Sequence, residues 1–398
     1  MNTVSDRLDR LSESATLAMA QMSRELQSKG INVISLSLGE PDFDTPEFIK
    51  EAAKKAIDDN FSHYTPVPGL LDLRRAVAEK FKRDNNLEFK PDQIVVSTGA
   101  KQSLANVCLC LLNSGDEVLL PCPYWVSYAE IIKLAEGIPI EVKSNIESDF
   151  KVTPEELEKS ITLNTKMIIF SSPCNPSGSV YTQAELESIA RMLEKYPEIY
   201  VVSDEIYEHI NFTDKHFSIG SIPSMIDRTV TVNGVSKGFA MTGWRVGFIG
   251  APLWIAKACN KIQGQVTSAT CAIAQKATER AMLAEPRSAT QKMKETFLNR
   301  RDMLIDLLNE IPGIKCNIPK GAFYVFPDIS YYFGKSNGET KINNANDLCM
   351  YLLYNANVAF VAGDAFGNSD CIRISYAASD DKLIEAMKRI KIHLSKLV

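Results

Sequence analysis

Gln93-Ile94-Val95-Val96-Ser97-Thr98-Gly99-Ala100-Lys101-Gln102 is a short apolar run, rich in β-branched residues, that breaks into small residues and then opens a helical pattern. A run of this kind ahead of a turn reads as a buried strand at 93–97, and 101–112 reads as the helix after it. The same alternation continues down the chain. Strands are expected at 117–121, 138–142, 166–171 and 199–203, with helices at 126–135, 154–161 and 183–194. Two more apolar runs, 229–232 and 246–251, bring the strands to seven. Repeated strand–helix units with near-continuous apolar strands predict an α/β fold, a mostly parallel seven-stranded sheet sandwiched by helices. Such sheets bind ligands at the carboxyl ends of their strands, so the chemistry is expected there.

Working outward, 2–29 is polar with helical stretches and 31–38 reads as a short strand. Thr45 reads as an N-cap with Pro46 at the first helical position, for a helix running to about residue 60. A Pro- and Gly-rich turn containing Tyr64 follows, then an amphipathic helix at 70–83. Beyond Pro252 the pattern is helical to about residue 310, with a long segment from 287. The tail offers strands at 322–326, 358–361 and 371–376, and helices at 344–354 and 381–395. Chain length and these patterns predict two domains. Residues 46–290 form the large one, 291–398 a smaller α+β domain, and 1–45 an N-terminal segment that joins the smaller.

The balance of 44 basic and 49 acidic residues, a net charge of −5, gives no electrostatic case for nucleic acid or a membrane surface. Nine scattered cysteines without a CxxC pair read as reduced thiols of a cytoplasmic protein. The polar start, 1–10, lacks the apolar core of a signal peptide, and no apolar run is long enough for a membrane span. Only four histidines occur, none at ligand spacing, so a zinc site is not expected.

Four predicted strand ends carry polar groups. The turn Ser97–Gln102, opening a helix, offers free N–H groups and a positive dipole end suited to phosphate, although a tight turn needs no ligand to exist. Ser172-Pro173-Cys174-Asn175-Pro176-Ser177-Gly178 holds Asn175 in a restricted backbone, and is also what a plain loop would contain. Ser203-Asp204-Glu205-Ile206-Tyr207 ends a buried strand in an acid that demands a partner. The fourth is the turn Asn233–Gly247, where Lys237 sits among small residues with Arg245 eight positions on. A neighbouring cation and partial burial disfavour the ammonium there and free a nucleophilic lone pair, where a solvated turn lysine would do nothing.

An amine, an acid, a phosphate cradle and an arginine in one α/β site are what pyridoxal phosphate requires. Its aldehyde condenses with a lysine, its ring draws electrons only while the ring nitrogen stays protonated, and its phosphate needs an anion pocket. Three competing readings are weaker. Glu205, Glu208 and His209 permit a metal, but at no standard ligand spacing. Gly234-Val235-Ser236-Lys237-Gly238 matches a serine-hydrolase elbow, yet a second strand rather than a helix follows it, and His393 falls in a terminal helix. No GxGxxG or GxxxxGK occurs.

Six ordered motifs carry a family resemblance: Ser37-Leu38-Gly39-Glu40-Pro41-Asp42-Phe43, Tyr124-Trp125-Val126-Ser127-Tyr128, Asn175-Pro176-Ser177-Gly178, Ser203-Asp204-Glu205-Ile206-Tyr207, the Lys237 turn with Gly243-Trp244-Arg245, and Arg373-Ile374-Ser375-Tyr376. Together they resemble the fold-type I, class I aminotransferases, specifically the bacterial aspartate aminotransferase subgroup, from about Ser14 to the end. The resemblance implies that Lys237 bonds the cofactor and moves the proton in transamination. It implies that Asp204 pairs with the ring nitrogen, Tyr207 and Asn175 with the phenolate oxygen, and Trp125 with the ring face. Gly99, Ala100 and Arg245 would hold the phosphate, with Tyr64 entering from the second subunit of a homodimer with shared sites. Arg373, helped by Gly39, would clamp the substrate α-carboxylate, and Lys101 the side-chain carboxylate of a dicarboxylic substrate.

Two departures stand out against that pattern. Gly234 occupies a position where many relatives carry a phosphate-binding hydroxyl, for which Ser236 is the substitute. Ser12 occupies a place near which relatives that accept prephenate carry a basic residue, and its absence counts against prephenate activity. The implied reaction is aspartate with 2-oxoglutarate. The alternatives kept open are an aminotransferase of aromatic, alanine or prephenate specificity, a C–S lyase of the same cofactor class, and a non-catalytic cofactor-binding regulator.

Overall fold

The computed structural model describes residues 4–213, 215–284 and 286–398. The first residues of the polar start, 1–3, lie outside that range. Among the described residues twelve strands form: β1 (Ile34–Ser35), β2 (Ile94–Ser97), β3 (Glu117–Pro121), β4 (Ile138–Val142), β5 (Thr165–Ser171), β6 (Tyr200–Asp204), β7 (Thr229–Gly234), β8 (Gly247–Gly250), β9 (Tyr324–Val325), β10 (Val358–Ala359), β11 (Val361–Ala362) and β12 (Ile372–Ser375). Seven of them make the main sheet in the order β2-β8-β7-β6-β5-β3-β4. All its pairings are parallel except those of β8, which runs antiparallel to both β2 and β7.

Alternation along the strands explains why both faces are covered. Val95, Met167, Ile169 and Val202 pack on one face with residues of the helices Ala100–Leu111, Ser127–Leu134 and Leu253–Val266. On the opposite face Ile94 and Val96 meet the helices Glu47–Asp58, Leu71–Asn85 and Ala272–Leu283, while Ile168, Phe170 and Val201 meet Pro154–Ser160 and Gln183–Leu193. Successive side chains of a strand point to opposite faces, so a strand buried on both must be apolar throughout. Two of these helices start on capping boxes, Thr153 with Glu156 and Thr182 with Glu185, each hydroxyl accepting an N–H at 3.3 Å.

A second core gathers β1, β9, β10 and β12 with the helices Pro286–Asn309, Ala345–Tyr351 and Asp380–Leu394. Ile206, Tyr207 and Ile210, from the turn after β6, belong to this same core, so one short segment serves both the main sheet and the smaller assembly.

Several expected elements came out differently. The run 31–38 keeps only β1 as strand, paired parallel with β10. The single strand expected at 358–361 is two, β10 in that pair and β11 in a three-stranded sheet with β12 and β9. The N-cap position falls on Pro46 rather than Thr45 and carries no side-chain cap; the Thr45 hydroxyl donates instead to the Ala240 carbonyl at 2.8 Å. Tertiary hydrogen bonding outbids a local cap when the partner is already fixed. No helix among the described residues is long and apolar enough to cross a membrane.

Candidate active site

Strand register assembles the site. Ser97 of β2 and Gly234 of β7 both lie opposite Gly247 of the reversed strand β8. The turn after β2, the turn after β7 and the residues just before β8 therefore share one sheet edge, bringing Ala100, Lys237 and Arg245 together. Ser171 of β5 is in register with Asp204 of β6, which places the Asn175 loop beside that acid. These strand ends open into a cavity of about 240 Å³.

Asp204 is buried, takes a hydrogen bond from the Tyr128 hydroxyl at 2.6 Å and accepts the Ile206 N–H at 3.2 Å. Burial raises its carboxyl to about 6, against the pull of those donors. Three residues on, the Tyr207 hydroxyl lies 2.8 Å from that of Tyr324, and burial pushes its pKa well up. Tyr324 also lies under the Arg373 guanidinium, 4.8 Å from ring centroid to cation.

The Lys237 amine donates to the Gly39 carbonyl at 2.5 Å. Its pKa is lowered to about 8, chiefly by burial, with Arg373 and Arg245 adding to the effect and Glu40 and Asp204 opposing it. Arg373 is 2 % exposed and donates to Asn175 Oδ1 at 3.0 Å and to the Ser37 carbonyl at 2.5 Å, while its Nε finds no partner. Tyr324 at β9 is a residue the sequence reading missed; its segment was visible as a strand, but not the direction its ring would take. Tyr128 was visible only inside a motif.

Backbone geometry shapes the other end. Gly99 has φ +86°, and a Cβ there would lie 2.2 Å from Arg245 Nη2. A Cβ at Gly247 would lie 2.2 Å from the Ala100 nitrogen. Both glycines keep the helix N-terminus at Ala100 open and its N–H groups near Arg245. Gly234 is explained by the same crowding: a Cβ would lie 2.9 Å from both Gly247 Cα and the Val246 carbonyl. The hydroxyl absent there is offered by Ser236, which is buried and lines the cavity.

Lys101 sits at the rim with its ammonium 5.0 Å from the Trp125 ring, and Trp125 meets Tyr128 edge-on at 5.5 Å. Of the thirteen residues singled out from the sequence, eleven line this one cavity: Gly39, Ala100, Lys101, Trp125, Asn175 and Asp204, with Tyr207, Ser236, Lys237, Arg245 and Arg373. Gly99 stands directly behind Arg245. Tyr64 does not line it, and at 101 % relative exposure it is free of its own chain.

Charge decides what fits. Lys101, Lys237, Arg245 and Arg373 line the cavity, and Asp204 is the one carboxylate among its lining residues. Arg373 is buried with no carboxylate beside it among the described residues, and four cations face one carboxylate, so the cavity is built for anions. A helix N-terminus beside Arg245 suits a phosphate, Lys237 with a lowered pKa suits an aldehyde, and Asp204 suits a protonated ring nitrogen. The residues present fit pyridoxal phosphate.

Two other readings meet geometry. Glu205 and Glu208 do lie together, but the histidine beside Glu205 is His216 rather than His209, and the ammonium of Lys80 sits against Glu208. The Ser236 turn leads through a short 3₁₀ turn, Thr242–Trp244, into β8, not into a helix.

Comparison with known proteins agrees with the chemistry. Residues 31–390 match the family described as aminotransferase class I and II. An aspartate/prephenate aminotransferase of Cereibacter sphaeroides is 46% identical over 394 residues, covering 98% of each chain. An aspartate aminotransferase of Pinus pinaster is 44% identical, over 98% of this chain and 80% of the relative. Among solved structures, the aspartate aminotransferase of Rhizobium meliloti superposes with a TM-score of 0.96 at 39% identity over 100% of both chains. That of Thermus thermophilus with maleate gives 0.92 at 38% identity, over 99% of this chain and 100% of that one. A site that pairs a softened lysine with a buried acid above an anion cradle, on a chain matched along almost its whole length, leaves one conclusion: this protein belongs to the class I and II aminotransferase family and is a pyridoxal phosphate-dependent aminotransferase.

Proposed function

We propose that the protein transfers the amino group between L-aspartate and 2-oxoglutarate, yielding oxaloacetate and L-glutamate. The observation that carries this is the distribution of cations: beyond Arg245 at the phosphate end, Arg373 and Lys101 line the same cavity, and neither has a carboxylate partner among the described residues. Two cations answer the two carboxylates of a dicarboxylic substrate. The relatives named aspartate aminotransferase and the neighbour holding maleate, itself a dicarboxylate, support the same reading.

When bound, the cofactor supplies an aldehyde carbon and an electron-withdrawing ring. Lys237 Nζ, its pKa lowered by burial, would hold that aldehyde carbon and would serve as the general acid and base that moves the substrate proton. Asp204 holds the proton on the ring nitrogen, its own oxygen oriented by the Tyr128 hydroxyl. Tyr207 and Asn175 would offer a hydroxyl and an amide to the ring's phenolate oxygen, and Trp125 would pack against the ring. Gly99, Ala100, Ser236 and Arg245 bind the phosphate. Arg373, with Gly39 alongside, would clamp the α-carboxylate, and Lys101 would take the distal carboxylate.

The assembly proposed is a cytoplasmic homodimer in which Tyr64 enters the partner's site, supported by that fully exposed ring and by nine unpaired cysteines. Residues 46–290 form the cofactor domain, and 291–398 with 1–45 the smaller one. A second reading, that prephenate is also an acceptor, rests on relatives named for both activities. Ser12 is exposed in this chain, its backbone N–H donating to Glu130 at 2.7 Å.

An amino-donor and acceptor panel tests the proposal. Lys237→Ala is expected to abolish turnover on every pair. Lys101→Ala is expected to lower kcat/KM for aspartate and glutamate by about 10²-fold while changing alanine and phenylalanine little, since a site built for a charge leaves it unpaired. Equal losses on all donors would remove Lys101 from the substrate and leave it to the phosphate.

A further inference from the structure

On the far side of the turn that carries Asp204 and Tyr207 lies a second polar cluster that the cavity does not use. The backbone after β6 makes one helical turn, Glu208 N–H to the Glu205 carbonyl at 3.0 Å. Asp204 and Tyr207 therefore share one side, and Glu205 and Glu208 the other. Glu205 is 1 % exposed and Glu208 7 %.

Every carboxylate oxygen on that side is engaged. Glu205 Oε1 accepts the hydroxyls of Ser203 at 3.0 Å and Ser218 at 2.5 Å. Its Oε2 faces His216 Nε2 at 2.9 Å and accepts Asn85 Nδ2 at 3.1 Å. Glu208 takes Asn85 Nδ2 at 2.6 Å and the Lys80 ammonium, and His209 Nε2 lies 3.3 Å away. Lys80 donates to Asn85 Oδ1 at 2.5 Å and has Asp84 at 3.7 Å. The cluster thus joins the helix Leu71–Asn85, the end of β6 and the segment around His216. Its cation at Glu208 is Lys80, and the group opposite Glu205 is His216.

We propose that the Glu205–His216 pair, seated on Lys80 and Asn85, is a positioning and charge-balancing device for Asp204, acting on the bound cofactor through that carboxylate. This rests on the proposed role of Asp204. Glu205 is its chain neighbour. Burial is the largest influence on Asp204, the Tyr128 and Ile206 hydrogen bonds pull the other way, and the smaller effect of the Glu205 negative charge adds to burial in holding the proton. His216 opposes that charge. Burial alone would favour its neutral form, but the adjoining carboxylate outweighs burial and raises its pKa. Lys80 compensates Glu208, whose carboxyl falls to about 2 despite burial. Removing one member of the Glu205–His216 pair therefore changes the charge balance a few bonds from Asp204.

The test is a pH titration of the bound cofactor's absorbance in purified holoenzyme. His216→Gln leaves Glu205 unbalanced, so protons on the cofactor are held more tightly and the transition moves up by about one pH unit. Glu205→Gln, nearly the same shape without the charge, moves it down by a similar amount. A cluster that only supports the fold would not produce opposite shifts, and each variant tests the pair alone should the other not fold. Neither variant shifting, or both shifting in one direction, while Asp204→Asn does move the transition, overturns the proposal. An unmoved transition in Asp204→Asn as well overturns the Asp204 role on which the pair depends.

Discussion

Burial drives the two ionisable groups at the heart of this site toward neutrality, Lys237 down to about 8 and Asp204 up to about 6. Each shift has a consequence that can be measured without substrate. In apoenzyme the Lys237 lone pair becomes available one unit at a time as pH rises, so cofactor uptake should quicken about tenfold per pH unit and level off near 8. A rise continuing toward the 10.5 of a free lysine would show that the amine is not buried as found. For Asp204 the sign is a penalty. The unfolded chain loses that proton near 3.8 and the fold near 6, so folding binds the proton across this window. Stability falls as pH rises through it, and the full cost stands above 6. Apo Asp204→Asn should therefore be more stable than wild type by about 2–3 kcal/mol at pH 8 and nearly equal to it at pH 4 in urea unfolding. A difference independent of pH would assign the effect to packing.

Among elements, the reversed strand β8 does most to build the site, because its register with β2 and β7 collects three turns at one edge. Gly247 is where that collection is tightest. Gly247→Ala would press a methyl to 2.2 Å of the Ala100 nitrogen and push the helix N-terminus away from Arg245. The expected result is weaker retention of the cofactor, by about tenfold or more in dialysis, with the secondary structure preserved. Unchanged retention would mean that the phosphate is not held at this helix. The helices and strands of the main sheet were legible because period, capping boxes and near-continuous apolar runs are local signals. Thr45 and the strands of the tail were less so. Thr45 spends its hydroxyl on Ala240, 195 positions away, and β10 and β11 part at Phe360 to join different sheets. Neither preference resides in the neighbouring residues.

For the whole molecule, the main sheet and the smaller assembly meet through the Tyr207 turn and through Arg300, which grips Asp42 with two hydrogen bonds at 2.7 and 2.9 Å and Asp380 at 2.9 Å. The fork at Arg300 fixes the stretch holding Ser37 and Gly39, whose carbonyls receive Arg373 and Lys237. Tyr64 faces outward from all of this. If two chains share their sites, Tyr64→Ala and Lys237→Ala, each impaired alone, should regain activity when refolded together. The mixed dimer then contains one site with both native residues. No recovery, with mixed dimers demonstrated by mass, would place Tyr64 outside the active site.

The sequence by itself determined the seven strands, the covering helices, the lysine, the acid and the family they resemble, since each is written in short-range pattern or in ordered motifs. Only the tertiary structure decided that Tyr324 meets Tyr207 and Arg373 while Tyr128 meets Asp204, that Gly234 is forced by the approach of β8, and that Glu205 meets His216 behind Asp204. Those outcomes depend on which surfaces close on one another, and burial, which sets the charges of this site, exists only once they have closed.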